Sequence, residues 1–462
     1  MSTLPRLTPI AACLATALAL APPSLHATNL PVANCNDSGG GSLRAVVGSA
    51  AETDTVDMSE LVCGTISVRT GAIHITQNNL ILKGPATGQL PVTGVYNGVT
   101  MNDRIFNHTG TGTLEIDHLA VQNGHLVSST ADVSGGCIFS SGSLVLNDSR
   151  VSTCYASADN HSVLGGGIYV AGNLSATDGT ISDNIAGGTA NFAGGGGALV
   201  HGDFTSLRTT IRGNKATGLN ATGGGIFTFG NVTVTASTIS GNSANDFAGI
   251  IIFANPNTNY ATIINSTISG NNALTGVNGG LYSNISIKMQ NSTIAFNTAP
   301  LSQHVPDAPF YSAGMALRAG YGSIYANLKS NLISNNLYGT TADDFSSMDY
   351  AIFSTTIAGS NNLIGSSNLT GSPLAALPDN TLTGPTACPL LGPLRDNGGP
   401  TFTHALSSHS PAIDHGGNPA SLAVDQRGSP YLRISGGAAD IGAYEVQQAD
   451  IVFNNTFEGC PP

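Results

Sequence analysis

The stretch that decides the fold covers residues 165–184 and reads GGGIYVAGNLSATDGTISDN. It recurs at residues 223–242 as GGGIFTFGNVTVTASTISGN. In both copies the Ile after the glycines (Ile168 or Ile226) precedes the closing Asn by sixteen residues. A pattern repeated in fixed register predicts a stack of similar units, each of which contacts mainly its neighbours.

We call the closing residue of each unit the anchor, and it aligns the rest of the chain. The anchors are Cys154, Asn184, Asn214, Asn242, Asn271, Asn297 and Asn336. A Val or Ile lies three residues before every anchor, and the aliphatic residues sixteen before it are Ile138, Ile168, Ala198, Ile226 and Leu281. The register stretches by four or five residues in two units, which Pro256 and Gly320 mark.

Aliphatic columns separated by Gly and Asn corners are typical of short strands rather than of helices. The sequence therefore predicts an all-β protein, a single right-handed parallel β-helix of roughly ten coils. Equivalent side chains on successive coils would lie about 4.8 Å apart, which lets stacked Asn side chains hydrogen-bond along a column. Ser42 as an N-cap, followed by apolar Leu43, Val46 and Val47, predicts a short capping helix before the first coils.

The N-terminus has the features of an export signal. Arg6 precedes an apolar run from Ile10 to Ala21, and cleavage is expected after Ala27, so residues 1–27 are predicted to be a signal peptide. The run is too short to cross a membrane as a helix, and no transmembrane span is expected in the mature chain. The alternative, lipoprotein processing at Cys13, stays open. A net charge of −12 without a basic stripe argues against a nucleic-acid partner.

Removal of the signal leaves an even number of cysteines, as disulfides in an exported chain require. They are Cys35, Cys63, Cys137, Cys154, Cys388 and Cys460. Fifteen pairings of these six cysteines are possible. Two lie near the start of the mature chain, two in the first strong repeat and two near the end, and this distribution favours local pairs. A Cys35–Cys63 bridge would hold the cap on the first coils, and a Cys137–Cys154 bridge would close one coil. With no adjacent His in an exported chain, we expect Cys137 and Cys154 to be structural rather than a redox pair or ligands of a metal.

Several motifs resemble known families. The Gly-Gly-Ile and Ile-Ser-Gly-Asn pairs resemble the repeats of bacterial right-handed parallel β-helix proteins, including the chlamydial polymorphic outer-membrane proteins. NDS at 36–38 with GSLR at 41–44 resembles the N-terminal motif of secreted β-helix proteins. The C-terminal segment is similar to a choice-of-anchor module on the motifs DNGGPT at 396–401, SPAID at 410–414, DQRG at 425–428 and ADIGAYE at 439–445.

The resemblance implies export to the extracellular space or to the cell surface and outer membrane of a Gram-negative bacterium, and it implies no defined reaction. The expected organisation after the signal is an N-terminal cap with the first coils at 28–112, the repeat array at 113–385, the choice-of-anchor-like module at 386–446 and a tail at 447–462.

One charged cluster could carry chemistry. Asp178 and Arg208 lie six residues before successive anchors, Asp148 precedes them in the column, and Arg212 flanks the next corner. A polysaccharide lyase or glycosidase would need carboxylates with a basic group in a groove. The plain interpretation is an exposed column of alternating charge that contributes less than about 1 kcal/mol per pair. No metal site and no cofactor are predicted, since only two carboxylates align.

One column of large apolar side chains could bind a ligand. Phe139, Tyr169, Phe227 and Tyr282 lie fifteen residues before their anchors, and strand alternation points them away from the interior. Such a ladder could stack on sugar rings or on a partner protein. Alternatively, the Gly-rich corner loops fold over it.

A second group of titratable residues lies in the C-terminal module. It consists of His404, His409, His415, Asp414, Asp425, Arg427, Asp440 and Glu445. A hydrolytic or metal site could be drawn from them, but turn and ion-pair roles that close the last coil are favoured. The sequence thus predicts a non-enzymatic, adhesin-like protein that presents a β face to a glycan or cell-surface ligand, with a carbohydrate-active enzyme as the alternative and the oligomeric state undefined.

Overall fold

The computed structural model describes residues 27–300, 312–350, 352–370, 377, 379–383 and 388–448. Over these residues the chain is an all-β parallel solenoid of about eleven turns with one short helix, which confirms the predicted fold class. The predicted signal peptide, apart from Ala27, lies outside the described residues. So do Cys460 and most of the predicted tail.

The helix, Leu43–Ser49, confirms the predicted cap. The Ser42 hydroxyl accepts a hydrogen bond from the Ala45 N–H, as an N-cap residue does. Leu43 and Val47 are buried in the same core as the first coils. The helix thereby covers apolar side chains that the first coil would otherwise expose.

Three long parallel sheets run along the described part of the solenoid, and each coil adds one strand to each sheet. The twelve strands of sheet A are Asn29–Pro31, Thr55–Asp57, Leu80–Lys83, Thr113–Asp117, Ser143–Asn147, Leu174–Thr177, Phe204–Leu207, Val232–Thr235, Tyr260–Ile264, Ser286–Gln290, Ile324–Lys329 and Thr355–Ser360. The eleven strands of sheet B are Ile66–Ser67, Leu90–Thr93, Leu119–Gln122, Arg150–Ser152, Thr180–Ser182, Thr210–Arg212, Thr238–Ser240, Thr267–Ser269, Thr293–Ala295, Leu332–Ser334 and Leu363–Ile364. The eleven strands of sheet C are Ile73–Ile75, Phe106–His108, Ile138–Ser140, Ile168–Val170, Ala198–Val200, Ile226–Thr228, Ile250–Ile252, Leu281–Ser283, Met315–Ala319, Phe345–Asp349 and Ser367–Thr370.

The strand register confirms the alignment on the anchors. In sheet C, Ile138 pairs with Ile168, and Ala198 pairs with Ile226 one coil further on. Ile250 then lies between Ile226 and Leu281, and it precedes its anchor by 21 residues instead of sixteen. The extra residues form the turn around Pro256, as the sequence indicates. The aliphatic columns are fully buried and form one continuous core.

Two columns of corner residues turn each coil. The residue six before the anchor has a positive φ in successive coils, including Asp148 at 38°, Asp178 at 53° and Arg208 at 47°. The residue directly before the anchor does so too, for example Asp183 at 57° and Gly213 at 65°. Asn, Asp and Gly tolerate this left-handed region best, which explains their frequency at these corners.

The Asn anchors form a buried ladder. Each Asn side-chain amide donates to the Oδ1 of the next anchor, at 2.9 Å from Asn184 to Asn214 and 3.0 Å from Asn214 to Asn242. The ladder continues through the later anchors to Asn336, which donates at 2.9 Å to the Asp344 carboxylate. The residues Asn184, Asn214, Asn242, Asn271, Asn297 and Asn336 are all fully buried. The predicted hydrogen-bonded column is therefore confirmed.

The coils are larger than the three short strands predicted, because the chain adds strands after the anchor. A nine-stranded sheet D consists of His125–Ser128, Tyr155–Asp159, Ile185–Thr189, Lys215–Ala216, Ser243–Ala244, Asn272–Ala273, Thr298–Ala299, Leu337–Tyr338 and Thr341–Ala342. A four-stranded sheet E consists of Val133–Ser134, Ser162–Leu164, Phe192–Gly194 and Asn220–Thr222. A two-stranded sheet pairs Val95–Tyr96 with Val99–Thr100. Small side chains such as Ala186 and Ala193 fill the narrow space between sheets D and E.

Two of the expected local disulfides are present. Cys35 bonds to Cys63 with the Cα atoms 6.4 Å apart, and Cys137 bonds to Cys154 with the Cα atoms 5.5 Å apart. The second bridge replaces the first step of the Asn ladder, and the Cys154 N–H donates to Asn184 at 3.0 Å. Cys388 is also engaged in a disulfide, and its pairing with Cys460 stays a prediction.

The C-terminal segment, residues 388–448, packs against the outer face of sheet B. Thr238, Thr267 and Thr293 on that face hydrogen-bond to Phe402, Gln426 and Ala443. Ala295, Leu332 and Leu363 of the array share an apolar cluster with Leu391, Leu406, Ile441 and Tyr444 of the segment. The segment therefore runs along the flank of several coils, and the expectation that its residues close the last coil is wrong in this respect.

Candidate functional site

Asp178 and Arg208 form the ion pair that the column alignment predicts. Arg208 Nε and Nη2 donate to the two carboxylate oxygens of Asp178 at 2.6 Å each. Both side chains remain about 40% exposed. Hydrogen bonding to Asp178 raises the pKa of the Arg208 guanidinium, so this group is a fixed cation and a poor proton acceptor. Arg212 is exposed on the far side of the corner, and catalytic roles for the three residues remain untested predictions.

The predicted aromatic column points away from the solenoid core, but much of it is covered. Phe227 and Tyr282 are only 7% and 3% exposed. Side chains of the corner segments, Phe192 and Phe247 among them, pack over the column. An accessible surface for the predicted ligand-binding role is thus left only at Phe139 and Tyr169.

That remaining surface forms an aromatic stack. The rings of Phe139 and Tyr169 are 5.2 Å apart and nearly parallel, and the Arg104 guanidinium lies 5.2 Å from the Phe139 centroid. The stack continues through His201 to Phe229. Phe139, Tyr169 and Phe229 are half-buried and His201 is exposed, and the ligand-binding role of the column stays a prediction.

A different set of aromatic side chains is exposed, at the turn between sheets C and A. We call it the aromatic corner; it consists of Phe253, Tyr260, Tyr321 and Tyr325, which are 37%, 39%, 62% and 43% exposed. Phe253 and Tyr321 meet edge to face with centroids 5.6 Å apart. The two turns touch, because a Cβ built on Gly322 would lie 2.8 Å from Pro256 Cγ.

Two lysines lie beside the aromatic corner on the outer face of sheet A. Lys288 follows Ser286, which pairs with Tyr260, and Lys329 lies on the strand that carries Tyr325. The four strands of this region, from Tyr260–Ile264 to Thr355–Ser360, contain no Asp or Glu. No ion pair of either lysine occurs among the residues that the structure describes. A chain of net charge −12 thus carries a local cationic strip here.

The opposite end of sheet A carries a carboxylate pair that sequence reasoning missed. Glu115 and Asp117 point outward from one strand, and Asn147 donates to both carboxylates at 2.9 Å. Burial raises the pKa of Glu115, and the neighbouring Asp117 charge raises it further. The alternation of Glu115, Ile116 and Asp117 was the available signal, but it lies before the first aligned anchor.

In the C-terminal segment, several of the titratable residues form buried ion pairs. Arg427 is fully buried, pairs with Asp425 at 2.7 Å and lies between the rings of Tyr431 and Tyr444, 3.9 and 3.8 Å from their centroids. Arg433 is equally buried and pairs with Glu445 at 2.8 Å. These are the ion-pair roles favoured from sequence.

Of the remaining members of that group, Asp414 and Asp440 are neighbours held by backbone hydrogen bonds. Asp414 accepts a hydrogen bond from the Ala438 N–H, while Asp440 accepts from the Asp414 and Val446 N–H groups. The rings of His409 and His415 hydrogen-bond to residues within two positions in the chain, and the His415 carbonyl oxygen accepts from the Asn361 amide at 3.1 Å. In the described parts of the chain, no cluster of three or more His, Cys, Asp or Glu could hold a metal ion.

Comparisons with known proteins do not assign the chain to a family. No protein-family model and no curated protein matches it. Among solved structures, the crystal structure of pectate lyase Pel9A matches with a TM-score of 0.43 and 12% sequence identity, over 90% of this chain and 96% of that chain. The strand pairing of the chain itself defines the class, a parallel β-solenoid. The polymorphic-repeat and choice-of-anchor resemblances stay predictions, and no helix in the described ranges is long and apolar enough to span a membrane.

Proposed function

We propose that this protein is an exported, surface-associated β-solenoid that binds an acidic carbohydrate chain without converting it. The aromatic corner carries the proposal. Two touching turns bring Phe253, Tyr260, Tyr321 and Tyr325 to the surface on the same edge of the solenoid. A contiguous group of exposed aromatic side chains is typical of a binding site.

The spacing of the corner suits an extended ligand. Tyr260 and Tyr325 flank Ser286, and Tyr325 lies two coils beyond Tyr260. Neighbouring strands are about 4.8 Å apart, so the two tyrosine backbones are separated by roughly 10 Å. Each Tyr offers an apolar ring face to a sugar ring and a hydroxyl for hydrogen bonding.

The charges next to the corner select the ligand class. Lys288 lies two register positions from Tyr260 and from Tyr325 along sheet A, and Lys329 lies four residues after Tyr325 on the same strand. The strands of both lysines carry no carboxylate. A Lys ammonium pairs readily with a carboxylate or sulfate as a point charge. A carbohydrate chain with carboxylate or sulfate groups therefore fits this face better than a neutral one.

One observation favours a second candidate, a glycosidase or lyase. Burial and the neighbouring Asp117 raise the pKa of Glu115, the direction that suits a general acid, and the pair lies on the same face of sheet A as the lysines. Asp178 is less suited, because Arg208 occupies both of its oxygens.

Titration calorimetry with hyaluronan and alginate oligosaccharides, against neutral dextran, tests the proposal. The double variant Tyr260→Ala with Tyr325→Ala should weaken binding of the acidic chains by roughly tenfold or more, which is about 1.4 kcal/mol per factor of ten. Lys288→Ala with Lys329→Ala should weaken it as well and should reduce its dependence on salt.

Two matched control variants test whether the loss of binding is specific to the aromatic corner and its neighbouring lysines. Lys215→Ala removes an exposed lysine from sheet D, and Phe402→Ala removes an aromatic side chain that is 47% exposed in the C-terminal segment. Neither should change binding. Equal binding of dextran and the acidic chains, or unchanged binding by the tyrosine variant, would refute the proposal. Release of new reducing or unsaturated ends that Glu115→Gln abolishes would support the enzyme instead.

A further inference from the structure

A pocket lies between sheet B and the C-terminal segment, away from the aromatic corner. Its volume is about 360 Å³. Ser240 and Ser269 line it from neighbouring strands of the array, and Pro393, Leu394 and His404 line it from the segment. Phe296 completes the lining, with its ring centroid 4.9 Å from that of His404. The wall is thus apolar except for two hydroxyl groups and one imidazole.

The His404 imidazole and the Ser269 hydroxyl are hydrogen-bonded to each other. Ser269 Oγ lies 2.7 Å from His404 Nε2, and His404 Nδ1 lies 2.7 Å from the Gly392 carbonyl oxygen. Because the carbonyl can only accept, Nδ1 carries the proton and Nε2 is left with its lone pair. The Ser269 hydroxyl therefore donates to Nε2. This is the arrangement of a nucleophile, a base and a group that orients the base.

We propose that Ser269 and His404 form a catalytic dyad that hydrolyses acyl esters with a short acyl chain. The apolar wall formed by Phe296, Pro393 and Leu394 would receive the acyl chain. The inference goes beyond the proposed glycan binding and is independent of it, since the pocket uses sheet B and not the outer face of sheet A.

The reaction follows from the two hydrogen bonds. Ser269 Oγ attacks the ester carbonyl carbon while its proton passes to His404 Nε2. The tetrahedral intermediate collapses, the C–O bond to the alcohol breaks, and His404 returns the proton to the departing alkoxide. A water molecule, deprotonated by His404, then attacks the acyl-Ser269 ester and releases the carboxylic acid. Ester and water thus yield acid and alcohol, and both side chains are restored.

A second hydroxyl can assist at the carbonyl oxygen. Ser240 pairs in register with Ser269, so their Cα atoms are about 4.8 Å apart. The Ser240 hydroxyl makes no hydrogen bond to another of the described residues, and it lines the same pocket. It is the donor placed to stabilise the negative charge that develops on the substrate oxygen.

Burial keeps the base neutral. Desolvation lowers the pKa of His404 to about 4, although its hydrogen bond to Gly392 opposes the shift. The imidazole is therefore in its unprotonated form above about pH 5, as a general base must be before the reaction begins. With this dyad, the rate of hydrolysis should be nearly constant from pH 6 to pH 8. An exposed His as the base would instead make the rate rise with pH around its usual pKa of about 6.5.

The test uses the full chain with p-nitrophenyl acetate and butyrate, together with a fluorophosphonate probe mapped by mass spectrometry. Ser269→Ala and His404→Gln should lower the rate above background by 100-fold or more, in line with loss of a nucleophile or a general base. Ser240→Ala should lower kcat and leave KM nearly unchanged. Ser182→Ala is the matched control, because Ser182 occupies the position equivalent to Ser269 three coils earlier, outside the pocket.

The probe separates catalysis from structure. Ser269→Ala removes a hydrogen bond that also docks the segment, so loss of turnover in that variant could reflect altered folding. Covalent labelling of Ser269 in the wild-type protein does not depend on any variant. Labelling at Ser269 that is lost in His404→Gln would establish the dyad, and a folded wild-type chain with no adduct at Ser269 and no hydrolysis above background would overturn it.

Discussion

The Asn ladder makes the sharpest prediction for stability, at Asn242 in its middle. Its side chain is fully buried and makes four hydrogen bonds. The amide donates to Asn271 Oδ1 at 2.9 Å and to the Ile211 carbonyl at 3.0 Å. The side-chain oxygen accepts from the Asn214 N–H and from the Asn214 amide, both at 3.0 Å. Asn242→Ala removes all four bonds at once.

The expected loss follows from that count. Each buried hydrogen bond contributes about 1 kcal/mol net, and partners left without a bond inside the core add to the cost. Four bonds therefore predict a loss of about 4 kcal/mol in the free energy of unfolding. Asn242→Asp should be at least as destabilising at neutral pH, because a carboxylate cannot donate to Asn271 or Ile211.

Urea unfolding followed by circular dichroism measures the effect, with hydrogen exchange to show which coils loosen. Asn220→Ala is the control, since Asn220 is exposed and its amide makes one hydrogen bond to Asn191. It should cost less than about 0.5 kcal/mol, as surface substitutions usually do. A loss at Asn242 no larger than the loss at Asn220 would refute the view that the ladder stabilises the stack.

Two further predictions concern stability. Cys154→Ser should lower the free energy of unfolding by about 3 kcal/mol in the chain-entropy estimate for the loop that the Cys137–Cys154 bridge closes, and reductant should produce no further change at this site. At Asp343, burial raises the pKa to about 6, so the folded state retains a proton that the unfolded state has released, and stability falls as pH rises from about 4 to about 6. Asp343→Asn should remove that fall, so that the variant is more stable than the wild type at pH 8 and not at pH 3.5; equal pH profiles in chemical unfolding would contradict this assignment.

The repeat could be recognised from the sequence because a solenoid places structurally equivalent residues at nearly equal intervals along the chain. Equivalents of Ile168 and Ile181 face the core in successive coils, and from Asn184 onward each anchor enters the ladder. One alignment therefore predicted strand register, corners and columns together. The structure at positions that depart from the repeat could be predicted less well. The turns at Pro256 and Gly320 were noticed as interruptions, but an insertion does not reveal which of its side chains stay exposed.

The candidate sites show the same division. Asp178 and Arg208 were correctly expected to be neighbours, since adjacent coils bring column mates together. The sequence does not decide whether Phe227 is covered, because that depends on how the corner segments pack across the outer face of sheet C. The Ser269–His404 contact joins residues 135 positions apart, and no periodicity relates them.

The sequence by itself determined the parallel stack, the capping helix and the Asn ladder, since each follows from periodic burial or from local signals within one coil. It favoured the two described disulfides as local pairs and left the other pairings open. Only the tertiary structure decided which aromatic side chains reach solvent, and that the C-terminal segment lies along sheet B and forms a pocket there. The physical reason is that these features arise where non-repeating segments fold back on the array, and their contacts depend on side-chain packing between distant parts of the chain.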